Sequence, residues 1–198
     1  MRKIIAAMQM SLDGYIEGSN GELDWVEPWD DSYDGLYSEI DTCILGRGMY
    51  PVYEQYWRAI LADPKAVLAF SGKVATNDEI EYAHFADKTP HIVLSKILQN
   101  VDWEITRIVR DVEEIRSLKQ QSGKHIYAVG GATLVSSLMN LGLLDELRLV
   151  VHPIVLGGGK ALFKDVKVRQ VLTLIAVKSL KEGQVNLSYS VQKADVVN

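Results

Sequence analysis

Cysteine and long apolar runs are both scarce in this chain of 198 residues. Cys43 is its one cysteine, so no disulfide bond can form within the chain. The surrounding Asp-Thr-Cys-Ile-Leu-Gly sequence predicts a packed thiol in a buried strand rather than a reactive one. No stretch approaches the ~20 apolar residues of a membrane helix, and the apolar run near the N-terminus is too short for a signal peptide. We therefore expect a cytoplasmic protein without a membrane segment.

Positively charged residues are slightly fewer than negatively charged residues in this chain. The chain has 21 Lys and Arg against 26 Asp and Glu, which gives a formal net charge of −5. Nucleic-acid binding depends on clustered Lys and Arg, so this balance argues against a nucleic-acid partner. Apolar residues make up 47% of the chain, which is enough for a large core. Because no Pro- or Ser-rich linker and no internal repeat interrupts the sequence, we expect one domain over residues 1–198.

Several familiar catalytic motifs are missing from the sequence. No HExxH or CxxC pattern is present, so no metal site is predicted, and His84, His91, His125 and His152 are expected at the surface or in the core. Neither the Gly-x-Ser-x-Gly motif of serine hydrolases nor the Gly-x-Gly-x-x-Gly motif of Rossmann folds occurs. Residues 157–160 also fail the phosphate-loop pattern and are predicted to form a flexible turn after a strand.

Segments rich in Val, Ile and Leu alternate with helical patterns along much of the chain. Continuous apolar strands indicate a sheet covered on both faces, and the alternating order indicates parallel strands with right-handed crossovers. Two last strands separated by Glu182 and Gly183 predict an antiparallel terminal hairpin. The predicted fold is therefore α/β, a three-layer α/β/α arrangement with a mixed, mostly parallel sheet and an antiparallel C-terminal hairpin. Strands are predicted over residues 3–10, 42–45, 91–95, 105–109, 125–129, 146–155, 173–181 and 185–191, and helices over 30–40, 48–61, 111–121 and 133–141.

The strongest local signal is a buried strand that runs into Gly130 and Gly131 and then opens a helix at Ala132. Glycine lets a ligand approach the backbone closely, and the free N–H groups of a first helical turn carry partial positive charge. This arrangement suits a pyrophosphate group. A tight turn, in which the glycines only permit packing of the helix on the sheet, explains the motif equally well.

Two further strand ends carry groups that suit phosphate. Gly46 and Arg47 follow an apolar strand and precede a helix start, and the forked guanidinium of Arg47 matches phosphate geometry. A third strand ends in Leu94, followed by the hydroxyl of Ser95 and the cation of Lys96. Ligands of open α/β sheets bind at the carboxyl ends of strands, so the three strand ends together indicate a phosphorylated dinucleotide.

The order of these motifs resembles the dihydrofolate reductase fold. It runs from Ile-Ile-Ala-Ala-Met near the start through Gly46-Arg47 and Leu94-Ser95 to Val-Gly-Gly-Ala over residues 129–132. More narrowly, the chain resembles the family that includes the reductase domain of bacterial riboflavin biosynthesis. Ser-Leu-Asp-Gly over residues 11–14 is close to the N-terminal motif of that branch, and residues 144–163 are similar to its C-terminal half. The resemblance implies NADPH as the cofactor.

The resemblance also implies which residues hold this cofactor. Met49 stands where dihydrofolate reductases usually have Thr, so one hydroxyl contact is lost. The segment at Ser95 and Lys96 has no carboxylate that would repel a 2′-phosphate, which favours NADPH over NADH. The implied contacts are Gly130, Gly131, Ala132, Thr133 and Leu134 at the pyrophosphate, Gly46, Arg47, Gly48 and Met49 at the phosphates, Leu94, Ser95 and Lys96 around the adenosine ribose, and Ala7 and Ile16 beside the nicotinamide.

The substrate side offers two candidate acids. Asp24-Trp25 followed by Asp30 matches the spacing between the active-site Trp and acid of dihydrofolate reductases, and a carboxylate half-buried beside Trp25 could protonate a C=N bond. Asp13 is the rival acid, and because the stretch around Asp30 is rich in acidic residues, both assignments stay open. Tyr15 stands where riboflavin reductases usually have a substrate-contacting Lys, which argues against a phosphoribosyl substrate.

The sequence thus predicts an NADPH-dependent oxidoreductase that transfers a hydride to a small heterocyclic substrate, pterin-, pyrimidine- or imine-like. A nucleotide-binding module that keeps the reductase fold without turnover is the alternative. The apolar strand over residues 147–156 and the terminal hairpin are the expected interface of a homodimer, as in the riboflavin branch. Aromatic residues are expected either to stack on a planar substrate or to lie in the core or the dimer interface: Trp25, Trp29, Tyr33, Tyr50, Tyr53, Tyr56 and Trp57.

Overall fold

An eight-stranded sheet organises the chain in the computed structural model, which describes residues 1–26, 35–69 and 71–192. The strands of this sheet are β1 (Ile4–Ser11), β3 (Ile40–Gly46), β4 (His91–Leu94), β5 (Thr106–Val109), β6 (His125–Gly130), β7 (Glu146–His152), β9 (Leu172–Ser179) and β10 (Val185–Val191). A second, two-stranded antiparallel sheet joins β2 (Tyr15–Glu17) to β8 (Lys160–Ala161). The helices are α1 (Tyr50–Ala62), α2 (Asn77–Lys88), α3 (Val112–Gln120) and α4 (Ala132–Asn140).

The large sheet is mixed, as the sequence predicts. Its strand order is β5-β4-β3-β6-β1-β7-β10-β9, and every pair from β5 to β7 is parallel. The last two strands form an antiparallel hairpin, and β10 also pairs antiparallel with β7. The hairpin turns at Glu182 and Gly183, which both have positive φ, near 60° and 83°. The predicted antiparallel C-terminal hairpin is confirmed.

Helices cover both faces of this sheet. One apolar cluster joins α3 and α4 to the sheet through residues such as Ile4 and Ala6, and the other joins α1 and α2 to it through Ile5 and Ala7. Successive residues of β1 therefore point to opposite faces, and both faces are buried, which is why the strand reads as a continuous apolar run. The predicted three-layer α/β/α arrangement is confirmed. In the described residues, no helix is long and apolar enough to cross a membrane.

Helix α2 is absent from the sequence prediction, although its start carries a recognisable signal. Thr76 caps the helix, since its side chain accepts a hydrogen bond from the Glu79 backbone nitrogen at 3.2 Å. The Glu79 carboxylate in turn accepts from the Thr76 backbone nitrogen at 2.7 Å. This capping box follows the Thr-x-x-Glu pattern, and Tyr82, Ala83 and Ala86 give the helix its buried face.

Two predicted elements need correction. The helix predicted over residues 30–40 is wrong in its described part, because residues 36–39 form a short 3-10 turn and Ile40 already begins β3; residues 30–34 lie outside the described residues. The strand predicted over residues 146–155 ends at His152. Pro153 follows directly, and proline cannot donate a ladder hydrogen bond.

A buried ion pair fixes the start of β1 against the start of β7. The Lys119 ammonium in α3 is 3% exposed, contacts the Asp145 carboxylate and donates to the Leu143 carbonyl oxygen at 2.7 Å. Asp145 also accepts a hydrogen bond from the Ile4 backbone nitrogen at 2.8 Å. These contacts satisfy both buried charges at the end of the sheet that lies opposite the candidate site.

Candidate cofactor and substrate site

Gly46, at the end of β3, lies against Gly130 and Gly131 at the end of β6. A Cβ built on Gly46 would lie 3.4 Å from the Gly130 carbonyl oxygen and 3.9 Å from the Gly131 nitrogen. Gly130 has a φ of +121°, and a Cβ there would meet Met8 Sδ at 3.0 Å. The peptide bond between Gly130 and Gly131 is cis. The ends of β3 and β6, two of the three strand ends, therefore meet, and the positive φ of Gly130 requires glycine there.

Helices α1 and α4 both begin beside this glycine contact. Met49 precedes α1 and Gly131 precedes α4, and no side chain of the described residues caps either start. Across residues 1–26, 35–69 and 71–192, no atom lies within 4 Å of a Cβ built on Gly48 or Gly131. Uncapped first-turn N–H groups and open space beside glycine backbone together suit a phosphate group.

The third strand end joins the same edge of the sheet. In the parallel ladder, Leu94 of β4 pairs with Gly46 of β3, so the exposed Lys96 follows just beyond the glycine contact. Ser95 is 8% exposed, and its hydroxyl oxygen accepts hydrogen bonds from the Ile97 and Leu98 backbone nitrogens at 3.3 and 3.0 Å. The hydroxyl proton of a serine remains a donor when its oxygen accepts. Ser95 therefore shapes the turn that carries Lys96.

Arg110 is a cation at this edge that the sequence analysis missed. It follows β5 directly, and its guanidinium donates to the Ser95 carbonyl oxygen at 2.9 Å. Val109, the residue before it, pairs with Leu94 of β4. The sequence could have predicted Arg110 as a site residue, because it follows a predicted strand just as Lys96 does. Adjacent parallel strands end at one edge of a sheet, so their trailing residues meet.

The two residues expected beside the nicotinamide lie on different sheets. Ala7 of β1 is 2% exposed and belongs to the cluster on the α1 side. Its neighbour Met8 faces the other side, where it contacts Gly130. Ile16 of β2 is partly buried and packs against the cluster on the α3 and α4 side. The two expected nicotinamide neighbours thus belong to different apolar clusters.

The carboxylate of Asp13 is tied into a turn. It accepts hydrogen bonds from the Ser11 hydroxyl at 2.7 Å and from the backbone nitrogens of Leu156 and Gly157 at 3.1 and 2.8 Å. The Ser11 bond lowers the pKa of Asp13 below its ordinary value, and the two backbone donors act in the same direction. Asp13 is therefore ionised at neutral pH and joins the segment after β1 to the segment after β7. This geometry favours an anchoring group over a proton donor.

Trp25 packs edge-on against His152, with ring centroids 5.3 Å apart and an interplanar angle of 82°. Its indole nitrogen is buried and has no hydrogen-bond partner within the part of the chain that the structure describes. Asp30 lies outside the described residues, as do Trp29 and Tyr33. The predicted pairing of Trp25 with Asp30 therefore stays a prediction.

Gln9 and His152 form a polar pair that the sequence analysis did not assign to the site. Gln9 Oε1 and His152 Nε2 are 2.6 Å apart, across the neighbouring strands β1 and β7. His152 is 3% exposed, whereas Gln9 is half-buried. Gln9 lies two residues after Ala7 and so points to the same face of the sheet. The pair had no local sequence signal, because its members are 143 positions apart.

Three members of the predicted aromatic cluster, all on α1, belong to the core. Tyr50, Tyr53 and Trp57 of α1 are all buried. They lie among α2 and the sheet, where Tyr53 Oη is 3.0 Å from the hydroxyl of Tyr82 and 3.5 Å from Nε2 of His91. Burial lowers the pKa of His91 to about 4, so this imidazole is neutral at physiological pH.

Cys43 is also fully buried in this cluster, and burial raises the pKa of its thiol. The expectation of a packed thiol agrees with that position. Within the described part of the chain, no three His, Cys, Asp or Glu side chains gather closely enough to hold a metal ion.

Comparison with solved structures shows the same fold in reductases. The chain superposes with a TM-score of 0.69 on a protein from Shewanella sp. PV-4 provisionally assigned to riboflavin biosynthesis, at 20% identity, covering 96% of this chain and 99% of that one. Dihydrofolate reductase from Enterococcus faecalis, solved in complex with NADP(H) and RAB-propyl, gives a TM-score of 0.59 at 17% identity. That match covers 96% of both chains. The fold is that of dihydrofolate reductase.

Sequence comparison narrows this result to a family. An uncharacterised Bacillus subtilis (strain 168) protein, YyaP, is 35% identical over 191 residues, which cover 95% of this chain and 94% of the relative. The family model of the RibD C-terminal domain matches residues 2–187, nearly the whole chain. The resemblance to the riboflavin-biosynthesis reductases is thereby confirmed, and the chain belongs to the RibD C-terminal domain family.

Proposed function

We propose that this protein is an NADPH-dependent reductase that transfers a hydride to a small heterocyclic substrate with a reducible C=N or C=C bond. The observation that carries the proposal is the meeting of three strand ends, where Gly46 contacts Gly130 and both lie next to uncapped helix starts. The family and the fold point to a reductase. The dihydrofolate reductase with which this chain shares its fold was solved with NADP(H).

The residues present fit such a cofactor. The open space beside Gly48 and Gly131 would accommodate the pyrophosphate, which the first-turn N–H groups of α4 would bind. Helix α1 would contribute less, because Pro51 in its first turn has no N–H. Arg47 would add a charged donor from the α1 side. Lys96 and Arg110, with the Ser95 hydroxyl, would bind the 2′-phosphate that distinguishes NADPH from NADH. The nicotinamide would lie near Ala7, in the middle of the interior strand β1.

Bound NADPH would supply the hydride, and the chain would supply orientation and a dry site. Ala7 has a small side chain and lies in the apolar cluster on the α1 side, so a planar ring held beside it would be shielded from water. Asp30 and Asp13 were the two candidate proton sources. The hydrogen bonds of Asp13 favour an anchoring role, so we assign the protonation step to Asp30 or to a water molecule held near Trp25.

Fluorescence titration with NADPH and NADH tests the cofactor assignment directly. We expect NADPH to bind at least about tenfold more tightly than NADH, which corresponds to ~1.4 kcal/mol. If neither NADPH nor NADH binds at millimolar concentration, the proposal is wrong. Oxidation of bound NADPH across a panel of pterins, pyrimidines and cyclic imines then separates a reductase from the alternative, a nucleotide-binding module without turnover. Binding without any oxidation would favour the module.

We also propose a cytoplasmic homodimer that associates through the terminal hairpin. On one face of β9, Leu174 and Val177 are 53% and 61% exposed, and Val168 and Val171 just before the strand are 61% and 54% exposed. Apolar side chains gathered on a sheet edge in this way mark a site of association, and a two-fold dimer lets one patch bury its own copy. The interior position of β7 makes the hairpin the more accessible of the two predicted interface elements.

A further inference from the structure

A groove beside α4 lies outside the proposed cofactor and substrate contacts, apart from Thr133 at one end. Its volume is about 620 Å³, within the roughly 300–1,000 Å³ of small-molecule sites. One wall is a face of α4, because residues 133, 136, 137 and 140 lie three or four positions apart and span ~10 Å of helix. The other wall is the segment 164–167, which follows β8.

Asn140 holds this segment against α4. Its amide nitrogen donates to the Asp165 carbonyl oxygen at 2.9 Å, and its amide oxygen accepts from the Lys167 backbone nitrogen at 2.8 Å. The Val166 backbone nitrogen donates to the Phe163 carbonyl oxygen at 3.1 Å, which closes a turn. The backbone of the segment is therefore fixed relative to the helix before a ligand binds. A preorganised loop loses less conformational entropy on binding than a free one.

The segment carries two ammonium groups that have no acidic partner. Lys164 and Lys167 are exposed, and neither forms an ion pair within residues 1–26, 35–69 and 71–192. Lys160, on the strand just before, differs because its ammonium pairs with the Glu17 carboxylate at 3.1 Å. With Asp165 between them, the two lysines leave the segment positively charged in a chain whose formal net charge is −5. The groove therefore favours an anion.

The hydroxyl groups on the helix wall narrow the class of anion. Ser137 is half-buried and lines the groove, and a serine hydroxyl both donates and accepts. Ser136 is 1% exposed at the floor, where its hydroxyl donates to the Leu162 carbonyl oxygen at 3.4 Å. Lysine binds phosphate as a point charge, whereas the planar guanidinium of Arg is the better match for a carboxylate. A phosphomonoester carries about −1.5 to −2 charges at pH 7, close to the charge of two ammonium groups.

We propose that this groove binds a small phosphomonoester whose carbon skeleton carries hydroxyl groups. The phosphate lies between the Lys164 and Lys167 ammonium groups, and the skeleton lies along α4, where Ser137 hydrogen-bonds to one hydroxyl. The Asp165 carboxylate only accepts when ionised, so it suits a hydroxyl donor and disfavours a second phosphate. This binding site does not depend on the proposed reductase activity.

Calorimetry on the cofactor-free protein at low ionic strength tests the site, with glycerol 3-phosphate and inorganic phosphate as probes. We expect glycerol 3-phosphate to bind with a Kd below about 1 mM, and at least about threefold more tightly than inorganic phosphate. The double variant Lys164→Ala, Lys167→Ala should weaken glycerol 3-phosphate by at least about tenfold. The matched control is Lys65→Ala, Lys73→Ala, which removes two exposed lysines between α1 and α2 and should bind as the wild type does.

Two further variants locate the bound probe, with thermal melts showing that each variant folds. Ser137→Ala keeps both cations and should remove the preference for glycerol 3-phosphate over inorganic phosphate. Lys96→Ala, Arg110→Ala changes the proposed cofactor site and should leave the glycerol 3-phosphate affinity within about twofold of wild type. The proposal is overturned if the wild type binds neither probe, if the Lys164, Lys167 variant keeps its affinity, or if the Lys96, Arg110 variant loses as much. A Ser137→Ala variant that keeps the preference overturns the placement of the skeleton along α4.

Discussion

The Gly130 carbonyl oxygen lies 3.4 Å from the place that a Cβ would take on Gly46. A methyl group on Gly46 would therefore be in van der Waals contact with the end of β6. Gly131 differs, because no described atom lies within 4 Å of its built Cβ. Gly130 serves the packing of the sheet, because its φ is +121° and a Cβ there would lie 3.0 Å from Met8 Sδ of β1, whereas Gly131 borders open space at the start of α4. The sequence left two interpretations of this motif open, a packing role and a phosphate-binding role. The structure favours packing for Gly130, and it leaves room for a phosphate group beside Gly131.

The first prediction separates these two roles. Gly131→Ala fits the backbone, since φ is −81° there, so we expect thermal stability to change little. Its methyl group would enter the space assigned to the pyrophosphate, and NADPH affinity should fall by about tenfold or more. Gly130→Ala, at φ +121° and against Met8, should instead destabilise the fold by about 1–3 kcal/mol. Thermal melts and fluorescence titration measure both effects, and unchanged NADPH binding by Gly131→Ala would contradict the pyrophosphate assignment.

The second prediction concerns the cations at the ends of β4 and β5. The double variant Lys96→Ala, Arg110→Ala should weaken NADPH by about 30-fold or more and NADH by less than about threefold, because only NADPH carries the 2′-phosphate. Arg107→Ala is the matched control, since Arg107 lies on β5 and pairs with Glu114 at 3.2 Å. Equal losses of affinity for NADPH and NADH would show that the 2′-phosphate does not bind at this edge of the sheet. Arg47→Ala should weaken both cofactors alike, because both have a pyrophosphate.

Local patterns were sufficient for most of the fold. Continuous apolar strands predicted β1, β3 and β6 and the burial of both sheet faces, because buried parallel strands leave little choice of residue. The hairpin followed from Glu182 and Gly183, which supply the positive φ that a tight turn needs. Helix α2 was missed because its apolar residues are less concentrated on one face than those of α3, although Thr76 and Glu79 carry its cap. The capping box was the stronger signal there than the apolar face.

The sequence predicted site residues only where the binding groups follow one strand directly along the chain. Lys96 could be placed because it follows a hydroxyl at the end of an apolar strand. Arg110 acts through Ser95, a contact that depends on which strands are neighbours. The 2.6 Å contact between Gln9 and His152 depends on the pairing of β1 with β7 across the whole chain. Strand order is set by long-range packing, which a local pattern does not contain.

The third prediction tests the role of Asp13. Asp13→Asn keeps the side-chain shape but replaces one acceptor oxygen with a donor, which loosens the contact with Leu156 and Gly157. We expect steady-state turnover to fall by less than about tenfold, with KM rising and the alkaline limb of the pH–rate profile unchanged. Removing a true general acid costs ~10²–10⁴ in rate. Because a general acid must be protonated to act, a loss of that size with the alkaline limb abolished would make Asp13 the proton donor.

The fourth prediction concerns stability at low pH. The neutral His91 imidazole is buried against Tyr53, Trp103 and Thr106, and burial lowers its pKa to about 4 from the ordinary 6.5. Between these values the unfolded chain binds the proton and the folded chain does not, so stability falls as the pH drops from about 6.5 towards 4. The loss from this group approaches ~3 kcal/mol at the acid end.

Urea unfolding between pH 7.5 and 4.5 measures that loss. His91→Phe keeps an aromatic ring at the position and should remove most of the slope, although it also loses the hydrogen bonds to Tyr53 and Thr106. His84→Gln, on the exposed side of α2, is the control and should keep the slope of the wild type. A wild-type slope that persists in His91→Phe would assign the acid sensitivity to other groups.

The fifth prediction tests the hairpin as a dimer interface. Val177 pairs with Leu187 and shares a sheet face with Leu174, whereas Ala176 points to the opposite face. A stable interface buries about 800 Å² on each partner, and a lysine in its apolar centre is left desolvated without a partner. We therefore expect Val177→Lys to give a particle of 22.1 kDa by light scattering, and Ala176→Lys to keep twice that mass. A wild-type particle of 22.1 kDa at micromolar protein concentration would contradict the dimer. A Val177→Lys variant that stays dimeric would show that the interface lies on another surface.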